Sequence, residues 1–181
     1  PEVIVAANIS KNTSSINEDA AKDYETSFAL LYDLVDMFVV HVSCPNVVGL
    51  TALPDISFLS DIVDRLLDLR MYYDEYRPIL LKVSPDLAHE QLDEIVEYCL
   101  RSGIDGIVAG NTTRSREGLN SLTPEKIEAI GNGGMSGAPV HKKNLELVRY
   151  INKISEGKLP IIGVGGIMSG AQAQDMLDAG A

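Results

Sequence analysis

The sequence predicts an α/β protein of about five βα units, which belong to an incomplete (β/α)8 TIM barrel. Short apolar runs rich in β-branched residues alternate with longer segments of helical period, the pattern of a parallel sheet covered by helices. Polar or glycine residues directly follow each short run. The 181 residues give about 36 per unit, so eight units would need roughly 290 residues, within the usual size of such a barrel.

Five short apolar runs have the length and composition of buried strands. They span residues 3–9, 37–42, 79–83, 106–109 and 160–164. Helical periodicity predicts five helices, at residues 17–34, 57–75, 89–101, 141–155 and 170–178. The chain begins next to a strand and stops at "DAGA", after a helix, so we expect neighbouring elements of the barrel to lie outside it. Residues 1–181 are therefore interpreted as one partial barrel domain.

The third predicted helix has the clearest periodicity. Its apolar residues follow the i, i+3, i+4, i+7, i+8 spacing of one buried face. They are Leu92, Ile95, Val96, Cys99 and Leu100. Cys99 is therefore expected in the core. The two cysteines lie in different contexts, which indicates free thiols and a reducing compartment rather than a disulfide.

Strand number alone does not separate a barrel from a doubly wound, flavodoxin-like sheet, because five strands satisfy both. The residues after the strands favour the barrel, since it gathers all its strand ends at one mouth, whereas a doubly wound sheet places ligands at one switch point. These residues are Ser10, Lys11, Asn12, Ser43, Cys44, Asn46, Ser84, Asp86, Asn111, Thr112, Gly165 and Gly166.

Composition and charge limit the classes of partner. The net charge of −11 has no basic stripe within it, which argues against nucleic acid and anionic lipid. No apolar run approaches the roughly 20 residues of a membrane span, and no signal-peptide pattern opens the chain. We therefore expect a small-molecule ligand, and we predict no metal site.

Cys44 lies directly after the second strand, in "HVSCPNVVGL", where Pro45 restricts a loop of about 14 residues, a length that is often functional. The thiol can be a small buried residue of a rigid turn. Alternatively, it is a general base or nucleophile, because a thiol can alternate with its thiolate near neutral pH. A hydrolase would need a histidine partner, but His89 is expected at the other end of its unit and His141 in an exposed segment.

Lys82 is the charged residue of the otherwise apolar strand "ILLKV". A lysine is rarely buried without a partner, so its ammonium should reach an anion at the end of the strand. That anion can be an internal carboxylate. The functional alternatives are a Schiff-base lysine and a fixed cation that stabilises an anionic cofactor.

Carboxamides and glycines add two further binding features. Asn8, Asn46 and Asn111 lie at or just past strand ends, and their donors and acceptors suit a planar heterocycle. The stretch "PIIGVGGIMSGAQAQ" places paired glycines before a helix that Ser169 can cap, which suits an anion such as phosphate. A second glycine cluster, residues 131–139, either adds donors to the same anion or forms a flexible surface loop.

These motifs resemble the dihydroorotate dehydrogenase family, the flavin enzymes of pyrimidine synthesis. Its successive signatures resemble "VSCPNVVGL", "LLKVSPDL", "GIDGIVAGNTTRSR", "GGMSGAPV" and "PIIGVGGIMSGAQAQDMLDAGA", and "NISKNTSSINEDAAKDY" resembles its third-strand segment. The resemblance covers essentially the whole chain. It implies barrel strands three to seven, with strands one, two and eight outside the chain, and an FMN cofactor.

The family oxidises dihydroorotate to orotate: a base removes a proton from C5 while a hydride passes from C6 to the flavin N5. The resemblance implies that Cys44 is this base. It assigns the substrate to four residues, Asn46, Asn111, Thr112 and His41. It assigns the flavin to six residues, Asn8, Lys82, Ser136, Gly137, Gly165 and Gly166. The lysine would stabilise the reduced, anionic flavin.

Two features depart from the usual family pattern. His41 stands where asparagine is usual, and it can donate a hydrogen bond but is also titratable. The cysteine base resembles the soluble branch that uses fumarate or NAD, whereas three motifs resemble the membrane-associated, quinone-linked branch, where serine is usual. Three motifs against one residue favour quinone as the acceptor. This branch implies a cytoplasmic protein, with peripheral contact to the inner face of the cell membrane through a segment outside this chain.

Other functions stay open at this point. A further pyrimidine-reducing flavin barrel is the nearest alternative, although a tRNA-modifying one should carry a basic face. A non-catalytic barrel fragment or binding module is the alternative from a different class. Because an incomplete barrel leaves open edges, we expect these 181 residues alone to be inactive.

Overall fold

The computed structural model describes residues 3–42, 56–119 and 122–181. Five parallel strands alternate with helices in these ranges, as the sequence predicts. The strands are β1 (Ala6–Ile9), β2 (Met37–His41), β3 (Ile79–Val83), β4 (Gly106–Ala109) and β5 (Ile161–Gly163). The α-helices are α1 (Ala20–Leu31), α2 (Ile56–Arg70), α3 (His89–Ser102), α4 (Pro124–Ile130), α5 (His141–Ile154) and α6 (Gly170–Asp178). None of these helices is long and apolar enough to cross a membrane.

The predicted elements are confirmed, with shifted ends and one addition. The first strand starts later than predicted, because residues 3–5 are largely exposed and do not join the sheet. The second helix ends at Arg70 instead of residue 75. The sequence patterns did not predict α4, a seven-residue helix that begins at Pro124 and is capped by Thr123. It buries no residue, so it carries no apolar face that a periodicity search can find.

The strand order decides between the two candidate architectures. Each strand pairs in parallel with the next strand of the sequence, in the order β1-β2-β3-β4-β5. A doubly wound sheet reverses its order at a switch point, and this sheet does not. The described residues therefore form five βα units of a TIM barrel.

The two faces of the sheet bury different clusters. Alternate residues such as Phe38, Ile79 and Ile107 pack in a large core under the helices. The residues between them point to the opposite, inner face, where Val39, Leu80 and Val108 form a small separate cluster. The inner face of β2, β3 and β4 is consequently apolar near the middle of these strands, and His41 and Lys82 lie nearer their carboxyl ends.

The third helix buries the face that its periodicity predicts, with one error. Leu92, Ile95, Val96 and Cys99 are buried, so the core position of Cys99 is confirmed. Leu100 is 43% exposed, because at this position the helix surface turns away from the sheet. Gly103 ends the helix in the left-handed conformation, as helix C-terminal glycines commonly do.

A carboxylate fastens the amino-terminal ends of β3 and β4. Asp105, directly before β4, accepts hydrogen bonds from the Ile79 amide at 2.7 Å and from Arg70 Nη1 at 2.6 Å. The Tyr76 hydroxyl donates to its other oxygen. The Arg70–Asp105 ion pair is largely buried. This network lies at the end of the strands opposite to the predicted site.

Candidate active site

His41 and Lys82 lie side by side on the inner face, because His41 of β2 pairs in register with Lys82 of β3. His41 is 9% exposed and Lys82 is half-buried. Burial lowers the pKa of Lys82. Burial also lowers the pKa of His41, and the neighbouring charge of Lys82 lowers it further. The pair therefore favours a neutral imidazole beside the ammonium group.

Asn111 joins this pair from the end of β4. Its side chain forms a hydrogen bond with His41, which favours the protonated imidazole but does not outweigh burial and Lys82. The Asn111 Oδ1 also accepts a hydrogen bond from the Thr112 amide at 2.9 Å. Thr112 in turn packs closely against Gly134, where a Cβ would lie 2.1 Å from the threonine Oγ1. The structure thus brings together four of the predicted site residues from three different strand ends.

Of the other site residues predicted in the first two βα units, the structure describes Asn8 but not Cys44 and Asn46. Asn8 is exposed on the inner face of β1, in register with Val39 and two residues before the level of His41. Its predicted contact with the flavin stays a prediction. Cys44 and Asn46 lie outside the described residues, so their roles stay predictions.

The two histidines considered as partners for a hydrolase differ in their surroundings. The His89 ring stacks on Tyr150 with 4.0 Å between the ring centroids, on the helix layer. His141 is half-buried, so the prediction that it is exposed is wrong. Both of its ring nitrogens are buried without a hydrogen-bond partner in the described part of the chain. Gly166 packs closely against the backbone of His141, the first residue of α5.

The two glycine clusters meet. Gly165 and Gly166 adopt φ values of +100° and +73°, a conformation that favours glycine. A Cβ on Gly166 would lie 2.7 Å from the Gly137 carbonyl oxygen and 2.7 Å from the His141 amide. The loop that carries Ser136 and Gly137 is therefore packed against the glycine turn after β5 and is not a free surface loop at this point. The predicted N-cap of α6 is confirmed, since Ser169 Oγ accepts from the Gln172 amide at 3.2 Å.

The structure adds an ion-paired cluster that connects the loops. The carboxylate of Asp86, after β3, accepts a hydrogen bond from Thr113 Oγ1 at 2.5 Å and from the Arg114 amide at 2.8 Å. Lys143 of α5 donates to the same carboxylate. Burial raises the pKa of Asp86, but these three hydrogen bonds outweigh it, and the net effect is a lowered pKa. The sequence indicated Asp86 as a polar strand-end residue, but its partner Lys143 is 57 residues away and no local signal predicts it.

Asn144 is the second addition. It is fully buried in α5 among Leu145, Leu147 and Val148, and its Nδ2 donates to the Asn111 carbonyl oxygen at 3.4 Å. The signal in the sequence was a polar residue on an otherwise apolar helix face, in "HKKNLELV". Sequence reasoning ascribed no role to it.

A sequential parallel sheet with polar side chains from several strand ends on one side is the arrangement of (β/α)-barrel enzymes. The sequence model of the family "Dihydroorotate dehydrogenase" matches residues 1–181. The chain therefore belongs to the dihydroorotate dehydrogenase family, and the resemblance seen in its motifs is confirmed.

Individual relatives agree with this assignment. The chain is 42% identical over 179 residues to the "Dihydroorotate dehydrogenase (quinone)" of Christiangramia forsetii. The matched region covers 99% of this chain and 51% of the relative. It is 40% identical over 183 residues to the protein of the same name from Nostoc sp., with 98% and 47% covered. The crystal structure of ligand-free DHODH from Eimeria tenella superposes with a TM-score of 0.89 at 26% identity, and covers 99% of this chain and 52% of that one. The chain thus spans about half the length of these relatives.

Proposed function

We propose that the protein containing this chain oxidises dihydroorotate to orotate in pyrimidine synthesis. The observation that carries the proposal is the meeting of His41, Lys82 and Asn111 on the inner face, in a chain that belongs to the dihydroorotate dehydrogenase family. The relatives named as quinone-linked enzymes support the same reaction.

The residues fit a phosphorylated flavin, and membership of the family implies a flavin cofactor, which we propose is FMN. The amides of Gly137, Gly165 and Gly166 donate no hydrogen bond within the described part of the chain. Backbone amides of a glycine turn that precedes a helix N-terminus can bind an anion, so these glycines, with Ser136, would hold the phosphate ahead of α6. Asn8 would contact the ring system from the open inner face.

Lys82 would supply positive charge beside the ring system. Its half-buried ammonium acts in surroundings of low polarity, where a fixed charge stabilises a nearby anion more than it does in water. Burial lowers its pKa, which means that its charge is held at a cost that an anionic ligand would offset. When bound, the flavin supplies the acceptor for the hydride that leaves C6 of dihydroorotate.

The remaining residues would bind the substrate and remove its proton. Asn111 and Thr112 would hold the substrate ring together with Asn46, and His41 would add a hydrogen bond. We propose that the Cys44 thiolate takes the proton from C5. The C5–H electron pair then forms the C5=C6 double bond as hydride leaves C6, so that dihydroorotate loses two electrons in total.

We propose a quinone as the final electron acceptor. The relatives named as quinone-linked enzymes support this choice, whereas the cysteine base favours fumarate or NAD. Because quinones dissolve in lipid, the proposal also includes a cytoplasmic protein that contacts the inner face of the cell membrane through a segment outside this chain.

The test uses the full-length protein. We expect a yellow flavoprotein that dihydroorotate bleaches in the absence of oxygen, and that a quinone reoxidises faster than fumarate or NAD. A protein that purifies without flavin, or whose flavin dihydroorotate does not bleach, would contradict the proposed activity. The first result would favour a binding module, and the second a different flavin barrel.

Replacement of the base tests the assignment of Cys44. Cys44→Ala should slow flavin reduction by about 10²–10⁴-fold while flavin stays bound, because general-base catalysis contributes about that much. Cys99→Ala is the matched control, since this thiol is buried in the helix layer and should leave reduction nearly unchanged. Equal reduction rates in Cys44→Ala and the wild type would return Cys44 to a structural role.

A further inference from the structure

Asn144 is a polar residue at a buried position of α5, where an apolar side chain would lose less free energy of hydration on folding. It is 0% exposed and lies on the face of α5 that buries Leu145, Leu147, Val148 and Ile151. A carboxamide in such surroundings must be hydrogen-bonded or else pays for the loss of water. Its Oδ1 is buried and has no partner among the residues that the structure describes. The side chain is thus not explained by packing alone.

The carboxamide lies between the ends of two strands. Its Nδ2 donates to the Asn111 carbonyl oxygen, just past β4. On the other side, a Cβ on Gly165, just past β5, would lie 2.2 Å from the same Nδ2. Its Cγ is 3.1 Å from the position that a Cβ on Gly110 would take. Asn144 therefore contacts the backbone that carries the candidate substrate carboxamide and the backbone that starts the glycine turn.

We propose that Asn144 is a positioning residue that holds the Gly165 turn in a fixed place relative to Asn111. In this role it would act without touching the substrate or the flavin. It acts through Gly165, which has φ +100°. Gly165 lies so close to the carboxamide that any residue with a Cβ at this position would clash with Asn144. The inference rests on the proposed function, because it assigns the Gly165 turn to the flavin phosphate and Asn111 to the substrate.

Asn144→Leu separates positioning from packing. Leucine keeps the branched shape and fits the apolar face, but it removes the Nδ2 donor and the unpaired Oδ1 together. The loss of the unpaired Oδ1 favours folding, whereas the loss of the Nδ2 donor leaves the Asn111 carbonyl oxygen without this hydrogen bond, so the two effects on stability oppose each other. A residue with only a structural role would therefore leave ligand binding unchanged when the fold is intact.

The experiment compares FMN with riboflavin, which lacks the phosphate, by fluorescence titration of flavin-depleted full-length protein. We expect Asn144→Leu to weaken FMN binding about tenfold or more, to change riboflavin binding by less than about twofold, and to stay folded, with a urea midpoint close to that of the wild type. A tenfold loss of affinity is about 1.4 kcal/mol, and we assign it to weaker contacts between the displaced Gly165 turn and the phosphate.

Asn152→Leu is the matched control. Asn152 lies eight residues further along α5, and its side chain packs in the same way against another glycine, Gly180, far from the glycine turn. We expect it to leave the ratio of FMN to riboflavin affinity at the wild-type value. The same loss of this ratio in both variants would overturn the inference.

The remaining outcomes also decide the question. If Asn144→Leu binds FMN like the wild type, or weakens both flavins equally, the positioning role is wrong and the proposed function stands. If the wild type binds neither flavin, the proposed function fails and the inference fails with it. The two failures are therefore distinguished by the wild-type titration alone.

Discussion

His41 and Lys82 occupy paired positions on neighbouring strands, and the charge of Lys82 helps to keep the His41 imidazole neutral. The family usually has an uncharged asparagine where this chain has histidine. A neutral imidazole can replace a carboxamide as a hydrogen-bonding group, whereas an imidazolium would place a second positive charge beside the lysine. Burial and the charge of Lys82 therefore keep the His41 imidazole neutral, so the site carries the same charge as it would with an asparagine in place of His41.

Removal of the lysine charge should raise the pKa of His41. In Lys82→Met the side chain keeps its length but loses its charge, so one of the two causes of the lowered pKa disappears. Burial, the larger cause, remains, and the pKa should stay below the ordinary value of about 6.5. The measurement is an NMR titration of the His41 ring proton, identified by its loss in His41→Asn. Lys158→Met, which removes an exposed lysine, should leave the titration unchanged.

Cys99 should be unreactive in the folded protein. Burial raises the pKa of its thiol to about 12, so the thiolate that reacts with alkylating agents is essentially absent at pH 8. We expect iodoacetamide to leave Cys99 unmodified in the native full-length protein and to modify it fully in concentrated urea, as measured by peptide mass spectrometry. Native alkylation of Cys99 at the rate of a free cysteine would show that α3 opens far more readily than its buried face indicates.

The Asp105 network should contribute to stability and not to ligand binding. Asp105→Ala removes the only carboxylate that pairs with the largely buried Arg70 among the described residues, and the acceptor of the Ile79 amide, so we expect a loss of about 2–4 kcal/mol in the free energy of unfolding. Flavin affinity should change by less than about twofold, because the amino-terminal end of barrel strands serves stability. Urea unfolding and flavin titration measure the two effects.

An exposed ion pair provides the comparison for Asp105. Asp61→Ala removes one of the two carboxylate partners of Arg65 at the surface of α2, where an ion pair contributes little to stability. If Asp61→Ala and Asp105→Ala cost the same, the buried network has no special role.

Local patterns predicted what lies within one element. The continuous apolar runs "MFVV" and "ILLKV" predicted buried strands, whereas the face on which His41 and Lys82 lie was visible only in the structure. The strand order, by contrast, depends on how the units pack, and only the three-dimensional structure excluded the doubly wound sheet. Helix α4 was missed because a helix that buries nothing leaves no periodic trace.

Contacts between distant segments could not be predicted. Asn144 meets Asn111 across 33 residues, and Lys143 meets Asp86 across 57. Nothing in the local sequence favours these partners over other polar residues, since the packing of α5 on the sheet brings them together. The candidate substrate and flavin residues were found from motifs, but the residues that hold their loops in place were visible only in the structure.

Asp86 joins three segments at the mouth of the sheet. Its carboxylate accepts from Thr113, from the Arg114 amide and from Lys143, and thereby fixes the segment that begins at Asn111. Asp86→Asn keeps the shape but loses the charge and presents an amide group to donors. We therefore expect a loss of about 1–3 kcal/mol in unfolding free energy and weaker orotate binding, as measured by urea unfolding and by titration of the flavin absorbance.

The pH dependence of this loss follows from the lowered pKa of Asp86. A carboxylate whose pKa is lower in the folded protein binds fewer protons than in the unfolded chain, so its stabilisation is complete above the unfolded value of about 3.9. It disappears as the pH falls from there through the folded value. The stability difference between the wild type and Asp86→Asn should therefore be constant from pH 7 to about pH 5 and shrink below about pH 4.

The neighbouring lysines of α5 show whether the charge pair matters. Lys143→Met should lower stability in the same direction as Asp86→Asn, because it removes the cation that reaches the carboxylate. Lys142→Met is the matched control, since Lys142 is largely exposed and lies 3.9 Å from Glu146, where an ion pair contributes little. Because the Asp86 carboxylate and Lys143 act on the same contact, the double variant Asp86→Asn/Lys143→Met should lose less than the sum of the two single losses. Strictly additive losses would mean that Lys143 stabilises α5 independently and that Asp86 holds the Asn111 segment through Thr113 and Arg114 alone.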